Sequence, residues 1–401
     1  MTATSCKEIA EDLLARCLAG HAPDVLPRAL AEDACGQALF GIFVEGLADR
    51  FEPALCEVYA RLFAQAVAHT VPGEDAAALA ARYRRVRRPR PLAGDPRKVY
   101  VLSRVTLGAD VAVTSVLLDA ARRRLPDAEI VLAGPAKNGE LFAGDPRILH
   151  VPVEYRRGSL GERLAAWDDL KALAAAPGCA LIDSDSRLTQ LGLLPVCGEE
   201  DYYLFESRAY GGESDRPLPE LAAAWAEETL GVSGAKPWVA LAATGPRTDT
   251  IAVSLGVGEN AAKRLPDPFE EELLRLLAAT GMPVCVDAGA GGEEAARVRR
   301  AIARSGAVVT TWNGSFAGFA SIIASSRLYV GYDSAGQHVA AACGVPLISV
   351  FAGFPCPRMF ARWRPTGPRT VVVRVDRPDP HATLERVREA LGRLVHRRGR
   401  E

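Results

Sequence analysis

The segment Tyr332-Asp333-Ser334-Ala335-Gly336-Gln337-His338 packs the most chemistry into the fewest positions of this 401-residue chain. It follows the apolar run Leu328–Gly331 and leads into Val339-Ala-Ala-Ala342 and Gly344-Val345-Pro346. A strand feeding a small-residue turn and an Ala-rich helix offers free N–H groups and the positive end of the helix dipole, which together make an anion site. Ser334 can donate to a phosphate oxygen, Ala335 and Gly336 keep the turn small, and Gly336 lets the backbone approach closely. His338, in the first helical turn, can donate to a phosphate or to a leaving group. A plainer reading fits the same residues: Asp333 or Ser334 caps the helix and His338 packs beneath it.

Three other turns carry related chemistry. Ser254-Leu255-Gly256-Val257-Gly258-Glu-Asn260 is followed by Lys263-Arg264-Leu265-Pro266, and glycines after a strand with a Lys close by fit a diphosphate. A Lys can stabilise the charge that develops on a departing nucleoside diphosphate. Gly256 to Ala261 also spells G-x-G-x-x-A, the dinucleotide fingerprint, although Pro266 and Pro268 cut short the helix that the fingerprint requires. Asp287-Ala-Gly289-Ala-Gly-Gly292-Glu293-Glu294 places acids where ribose hydroxyls can be bound, or where a helix merely starts. Ser103-Arg104-Val-Thr-Leu107-Gly108-Ala109-Asp110 follows the first strand. There a carboxylate serves either as general base on an acceptor hydroxyl or as a helix N-cap.

These turns need strands and helices to hold them. Residues 1–88 have helical periodicity, with Ile9, Leu13, Leu14, Cys17 and Leu18 on one face, and Leu55, Val58, Tyr59, Leu62 and Phe63 on another. Pro53 suits a helix start, Val71-Pro72-Gly73 a stop, and the Arg- and Pro-rich stretch 84–96 a linker. Beyond it, apolar runs alternate with helical patterns. Strands are predicted over 98–102, 129–133, 148–153, 180–183, 237–242, 250–255, 283–286, 307–310, 328–331, 347–351 and 370–375. Helices are predicted over 113–124, 160–175, 269–279, 293–305, 317–325, 337–343 and 379–398. The last has Leu384, Val387, Leu391 and Leu394 on one face and Pro380 in its first turn. Residues 195–217 give no clear pattern. Strand–helix alternation implies parallel sheets, and ligands in such folds bind beyond the carboxyl ends of the strands. The expected organisation is a helical extension over 1–94, a Rossmann-like acceptor domain over 95–233, a Rossmann-like nucleotide-sugar domain over 234–378 and a terminal amphipathic helix over 379–401.

Composition excludes several classes. A net charge of −1 favours neither nucleic acid nor an anionic membrane. Only six of the 48 basic residues are Lys (7, 98, 137, 171, 236 and 263), a bias that reads first as codon usage and second as oxyanion recognition by Arg. Nine Cys lack any C-x-x-C pair, and no His stands at ligand spacing, which argues against a disulfide framework or a zinc site and for a reducing compartment. Met1 to Asp12 carries Lys7, Glu8, Glu11 and Asp12 without an apolar core, so it is not expected to act as a signal peptide, and no apolar run of about 18 residues is present. The expectation is a soluble cytoplasmic protein with at most peripheral membrane contact.

The turns occur in the order found in a known family. From about Lys98 to Arg377 the chain resembles the heptosyltransferase-like glycosyltransferases of family 9, which have the GT-B fold. The most specific stretch is Asp333–Val350, with Asp-Ser-x-x-x-His-x-Ala-Ala-Ala-x-Gly-Val-Pro resembling the nucleotide-sugar motif. Leu107-Gly-Ala-Asp110-Val resembles the family's Gly-Asp-Val, so Asp110 inherits the role of base, and Leu125-Pro-Asp-Ala-Glu-Ile130 also matches. The resemblance makes Lys263 a phosphate contact, Glu293 the ribose-binding acid and Gly314, before Ser315-Phe316, a backbone contact to the base. Two departures stand out: Ala335 precedes Gly336 where the family has Gly directly after Asp-Ser, and Ala109 separates Gly108 from Asp110. Arg358, Arg362, Trp363 and Arg364 are expected to flank the donor or acceptor pocket, or to form a solvated Arg-rich loop.

The resemblance implies α/β architecture, with two Rossmann-like domains facing a cleft behind the N-terminal helical extension. It further implies an inverting, metal-independent transfer from a nucleoside-diphosphate sugar, as co-substrate and without another cofactor, to a glycan or small-molecule hydroxyl. Asp110 and His338 are the catalytic candidates. Gly256, Gly258, Lys263, Glu293, Gly314, Asp333, Ser334, Ala335 and Gly336 would bind the donor, and Arg104 and Arg358 the acceptor or sugar. Asp183-Ser-Asp185 formally spells Asp-x-Asp but reads as a turn. The alternatives are a nicotinamide-dependent oxidoreductase built on Gly256–Ala261, and a catalytically silent nucleotide-sugar binder or a helper subunit docking through residues 1–94.

Overall fold

The computed structural model describes residues 3–258, 260–289 and 291–395. Glu259 of the G-x-G-x-x-A stretch, Ala290, and positions 396–398 of the expected last helix lie outside the described residues. The chain forms two compact units. One takes in the described residues up to Thr106, then Val113–Gly139 and Pro146–Lys236; the other takes in Leu107–Ala112, Glu140–Asp145 and the described residues from Pro237 on.

The first unit holds a parallel sheet of β1 (Lys98–Leu102), β2 (Glu129–Gly134), β3 (Ile148–Pro152), β4 (Cys179–Asp183) and β5 (Tyr202–Leu204), in the order β3-β2-β1-β4-β5. Alternate residues of its strands, among them Tyr100, Leu102, Val131, Ala133, Leu181, Tyr202 and Leu204, share one core with Leu13, Phe40, Phe43, Phe63 and Tyr83 of the N-terminal helices. Period-2 alternation sends these side chains to one face. The helical segment read as an extension over 1–94 is thus one of the layers covering this sheet. Its helices Ala3–Leu18, Pro53–Thr70 and Ala76–Val86 follow the expected periodicity, and Asp75 caps the last by accepting from Ala78 N–H at 2.7 Å.

The second unit holds β6 (Ile251–Ser254), β7 (Val284–Asp287), β8 (Thr310–Trp312), β9 (Leu328–Tyr332), β10 (Leu347–Phe351) and β11 (Thr370–Arg374), all parallel, in the order β11-β10-β9-β6-β7-β8. Leu384, Val387 and Leu391 of the helix Pro380–Val395 pack into its core, as the spacing predicted.

Several expectations need correction. Residues 237–242 form no strand, because Ala240 spends its backbone bonds on Leu141 O (2.9 Å) and Gly144 N (2.7 Å). The strand expected over 307–310 lies at Thr310–Trp312, beyond an extended connector that leaves Val308 94% exposed. β5 fell in the stretch that gave no pattern. The helix expected over 160–175 is two, Leu160–Leu164 and Ala166–Ala174. The helix expected from Val113 starts at Ser115, after a π-helical turn, Asp110–Thr114. The absence of a disulfide is also corrected: Cys6 and Cys35 are bonded, which removes one ground for expecting a reducing compartment, while seven other thiols are free. The 29-residue separation hid this pair, and only the packing of the first helix on the turn Asp33–Cys35 brings their Cα atoms to 5.4 Å. Among the described residues no helix is long and apolar enough to cross a membrane.

Candidate active site

In the second sheet the strand order reverses between β6 and β9, which pair in parallel with Ser254 opposite Gly331. Such a switch point opens a crevice beyond the strand ends. Two of the predicted turns, the one after Ser254 and the one after Tyr332, leave the sheet at this point. The carbonyl of Leu255 accepts from Arg297 Nη2 at 2.7 Å, which fixes where the glycine turn begins. Gly258 has φ +60°, a conformation that favours glycine. Asn260 then accepts from Ala262 N–H at 3.0 Å and closes a single 3-10 turn, Ala261–Lys263.

That turn delivers Lys263. Its Nζ lies 2.6 Å from Asp333 Oδ2 and donates to Asp333 O at 3.3 Å, with a fifth of the Lys side chain exposed and Asp333 buried. The other Asp333 oxygen accepts from the Gln337 amide, whose own oxygen accepts from the Ser349 hydroxyl on β10. Because that hydroxyl fixes the amide orientation, Gln337 Nε2 is a donor, and His338 Nε2, 3.2 Å away, is the acceptor. The imidazole proton therefore sits on Nδ1. Burial drives the His338 pKa down to about 4; Asp333 opposes this and Lys263 adds to it. At neutral pH His338 is an uncharged ring packed edge-on to Trp363 at 6.0 Å. His338 is buried beneath the turn, as the plainer reading expected, and it also belongs to the Lys263–Asp333–Gln337 network, whereas Ser334 makes no capping hydrogen bond.

The segment Leu107–Ala112 lies on the start of the helix Ala335–Ala342. A β-carbon added to Gly108 would stand 3.1 Å from Ala335 Cα and 3.2 Å from His338 Cδ2, so glycine permits the approach. Two residues on, Asp110 is fully buried. The expected base and the expected anion turn are thus neighbours.

At the ends of β7 and β8 a groove of about 480 Å³ is lined by Gly289, Gly292, Arg299, Thr311, Asn313 and Gly314, among others. Gly314 and Gly318 leave room for the Trp312 ring, whose Nε1–H donates to Ser315 O at 3.0 Å. Glu293 is exposed and stands outside the lining. The neighbouring Glu294 turns inward instead: β-carbons added to Gly256 and Gly289 would stand 3.2 and 3.0 Å from its Oε1. The acid that joins the two turns is therefore Glu294, one position later than expected. Arg358 is half-buried on the helix Pro357–Trp363, with Arg362 fully buried on the same helix, so this stretch is no solvated loop.

The first unit holds the remaining candidates. Arg104, expected to bind acceptor or sugar, is buried: its Nη1 donates to Ser184 O (2.6 Å) and Ser207 Oγ (2.8 Å) and lies 3.5 Å from Asp185. Its guanidinium is committed to the protein's own polar groups. Asp185 also pairs with Arg208 at 2.5 Å, and Asp183 accepts from Thr189, Tyr202 and the Ser186 N–H. The Asp-x-Asp carboxylates are internal anchors, as the turn reading anticipated. Among the described residues no group of three or more His, Cys, Asp or Glu is placed to hold a metal ion.

Residues 209–390 match the sequence model described as Glycosyltransferase family 9 (heptosyltransferase). That match assigns residues 209–390 to the heptosyltransferase-like glycosyltransferases of family 9. A search of curated proteins found no match. Among solved structures the fold is similar to E. coli heptosyltransferase WaaC with ADP, at TM-score 0.53 and 18% identity over 73% of this chain and 99% of that one. E. coli ADP-heptose lps heptosyltransferase II gives TM-score 0.51 and 19% identity over 74% and 98%. A glycosyl transferase family 9 protein from Veillonella parvula DSM 2008 gives TM-score 0.53 and 14% identity over 78% and 92%. These likenesses establish the GT-B fold of this glycosyltransferase.

The dinucleotide reading of Gly256–Ala261 fails on geometry. A single 3-10 turn follows the glycines, and the next helix along the chain begins only at Phe269, so the loop does not run directly into the helix that the fingerprint requires. Sequence reasoning also passed over Gln337, Ser349 and Gly353. Gln337 stands four residues after Asp333, on the same helical face, a spacing that could have signalled the contact. Gly353 has φ +69°, and a β-carbon there would stand 2.6 Å from Lys263 N. Its lack of a side chain lets the loop after β10 close against the Lys263 turn.

Proposed function

We propose that this enzyme moves a sugar from a nucleoside diphosphate to an acceptor hydroxyl with inversion at the anomeric carbon. The observation that carries the reading is Lys263, held at Asp333 beside the start of the helix Ala335–Ala342, at the switch point of the second sheet. A diphosphate docked there meets a cation, free backbone N–H groups and the helix dipole. Those groups offset the charge that grows on the leaving diphosphate, so the step as proposed calls on no metal.

Asp110 takes the acceptor proton as the hydroxyl attacks. His338, neutral, holds its ring nitrogen toward Gln337 and so keeps Asp333 and Lys263 in place, a narrower role than that of a proton donor. Glu294 replaces Glu293 as the acid nearest the donor's ribose, and the groove at Gly314 takes the base. WaaC is solved with ADP, and an adenine nucleotide is the first donor to try. The acceptor is a glycan or a natural product.

A thermal-shift screen of ADP-, GDP-, UDP- and dTDP-sugars tests the donor reading. At least one should raise Tm by several degrees in wild type and much less in Lys263→Ala. A flat screen sinks the proposal. Full turnover by Asp110→Asn would remove Asp110 as the base.

A further inference from the structure

Tyr329 lies in the middle of β9 with no exposed surface. Its ring runs along the strand so that the hydroxyl reaches the switch point. A β-carbon added to Gly331 would stand 2.5 Å from that hydroxyl, and one added to Gly336 would overlap it. The two glycines are the space the phenol occupies. This accounts for the glycine at 336, one position after the place the family motif leads one to expect.

The Tyr329 and Ser334 hydroxyls lie close to each other, yet neither makes a well-formed hydrogen bond, and both atoms are shielded from water. Ser334 is the N-cap of the helix Ala335–Ala342, but its side chain caps nothing. Burial raises the Tyr329 phenol above its ordinary value, so the O–H is retained, while the nearby Ser334 and Ser254 hydroxyls pull the other way. Buried hydroxyls are normally satisfied, and an exception calls for a partner not yet present. Here two of them meet at the end of a helix whose own N–H groups also lack partners.

We propose that Tyr329 is a positioning residue of the donor site: its hydroxyl donates to Ser334 Oγ, which turns the Ser334 proton toward an oxygen of the donor's diphosphate. Each hydroxyl then has a partner, and the chain of donors strengthens along its length. The inference rests on the donor reading given above and adds a residue to it.

The test uses the full chain, with ADP, GDP, UDP and dTDP as probes in calorimetric titration and with kcat and KM measured separately. Tyr329→Phe keeps the ring and removes only the oxygen. Its Tm should equal or exceed that of wild type, because without ligand the Tyr329 oxygen is buried with no well-formed hydrogen bond to lose. Its affinity for the nucleoside diphosphate that wild type binds should fall about 5- to 20-fold, with KM for the donor rising to match. Ser334→Ala should lose at least as much, and the double variant no more than Ser334→Ala alone. Equal affinity of Tyr329→Phe and wild type overturns the proposal. A Tm lowered by several degrees also overturns it, since the oxygen would then be a structural bond of the apo fold. If wild type binds none of the probes, the donor reading itself has failed and this inference goes with it.

Discussion

Both sheets reverse their strand order once, β1 against β4 in the first unit and β6 against β9 in the second. Topology makes the two places equivalent, each a crevice beyond the strand ends where loops diverge. In the first unit the crevice is filled by the protein itself. Arg104 and Arg208 close on Asp185, and Arg104 also donates to Ser184 O and Ser207 Oγ, although Arg208 Nε and Asp185 Oδ1 find no partner. Burial alone would push the Asp185 carboxyl up, but the two guanidiniums outweigh it and hold it below the ordinary range. In the second unit the equivalent place has one part-exposed Lys, glycine turns on either side and two hydroxyls without partners. The two places differ in exposure: Asp185 is sealed between two buried guanidiniums, whereas Lys263 keeps a fifth of its side chain exposed beside Asp333.

The largest effect should come from breaking the filled crevice. Asp185→Asn removes the carboxylate that two buried guanidiniums share, and urea unfolding should report a loss of about 3 to 5 kcal/mol. The matching change in the open crevice, Lys263→Ala, should act on function. Turnover should fall about 100-fold, close to 3 kcal/mol of transition-state stabilisation, while unfolding shows a smaller loss than Asp185→Asn. If the two variants behave alike, the distinction between the crevices is false.

Gly353→Ala sharpens the same contrast. The new methyl must enter a left-handed position against the Lys263 turn. The expected cost is about 2 kcal/mol of stability, with donor affinity lost alongside, and donor titration of the folded variant checks the second half. The smallest effect is one of pH. The His338 pKa is about 4 when folded and near 6.5 when unfolded. The unfolded chain therefore takes up a proton first, and stability falls as pH drops from 6.5 toward 4. Between pH 6.5 and 5 the loss should be about 1 to 2 kcal/mol, and it should vanish in His338→Gln. Activity should show no limb near pH 6.5 from this residue.

Much of this was legible in sequence. Lys263, Asp333, Ser334 and Gly336 were identifiable because strand-end turns announce themselves through small residues and a change of hydrophobic period. Glu294 was not, because on a helix start the choice between adjacent acids depends on which one points toward Gly256. Arg104 was misplaced for a related reason: a charged residue after a strand looks the same whether solvent or an Asp 81 positions later awaits it. β5 was too short, at three residues, to show alternation.

The chain's own order of residues determined the strands, the glycine turns and the helix that follows Asp333, because each depends on neighbours within a few positions. Only the tertiary structure decided which of the two equivalent places would bury its charged groups completely and which would keep a Lys part-exposed. That outcome rests on partners from distant segments, with Asp185 meeting Arg104 and Arg208 in one place and Asp333 meeting Lys263 in the other. Charge balance in a buried crevice is summed over space, and spacing along the chain does not carry it.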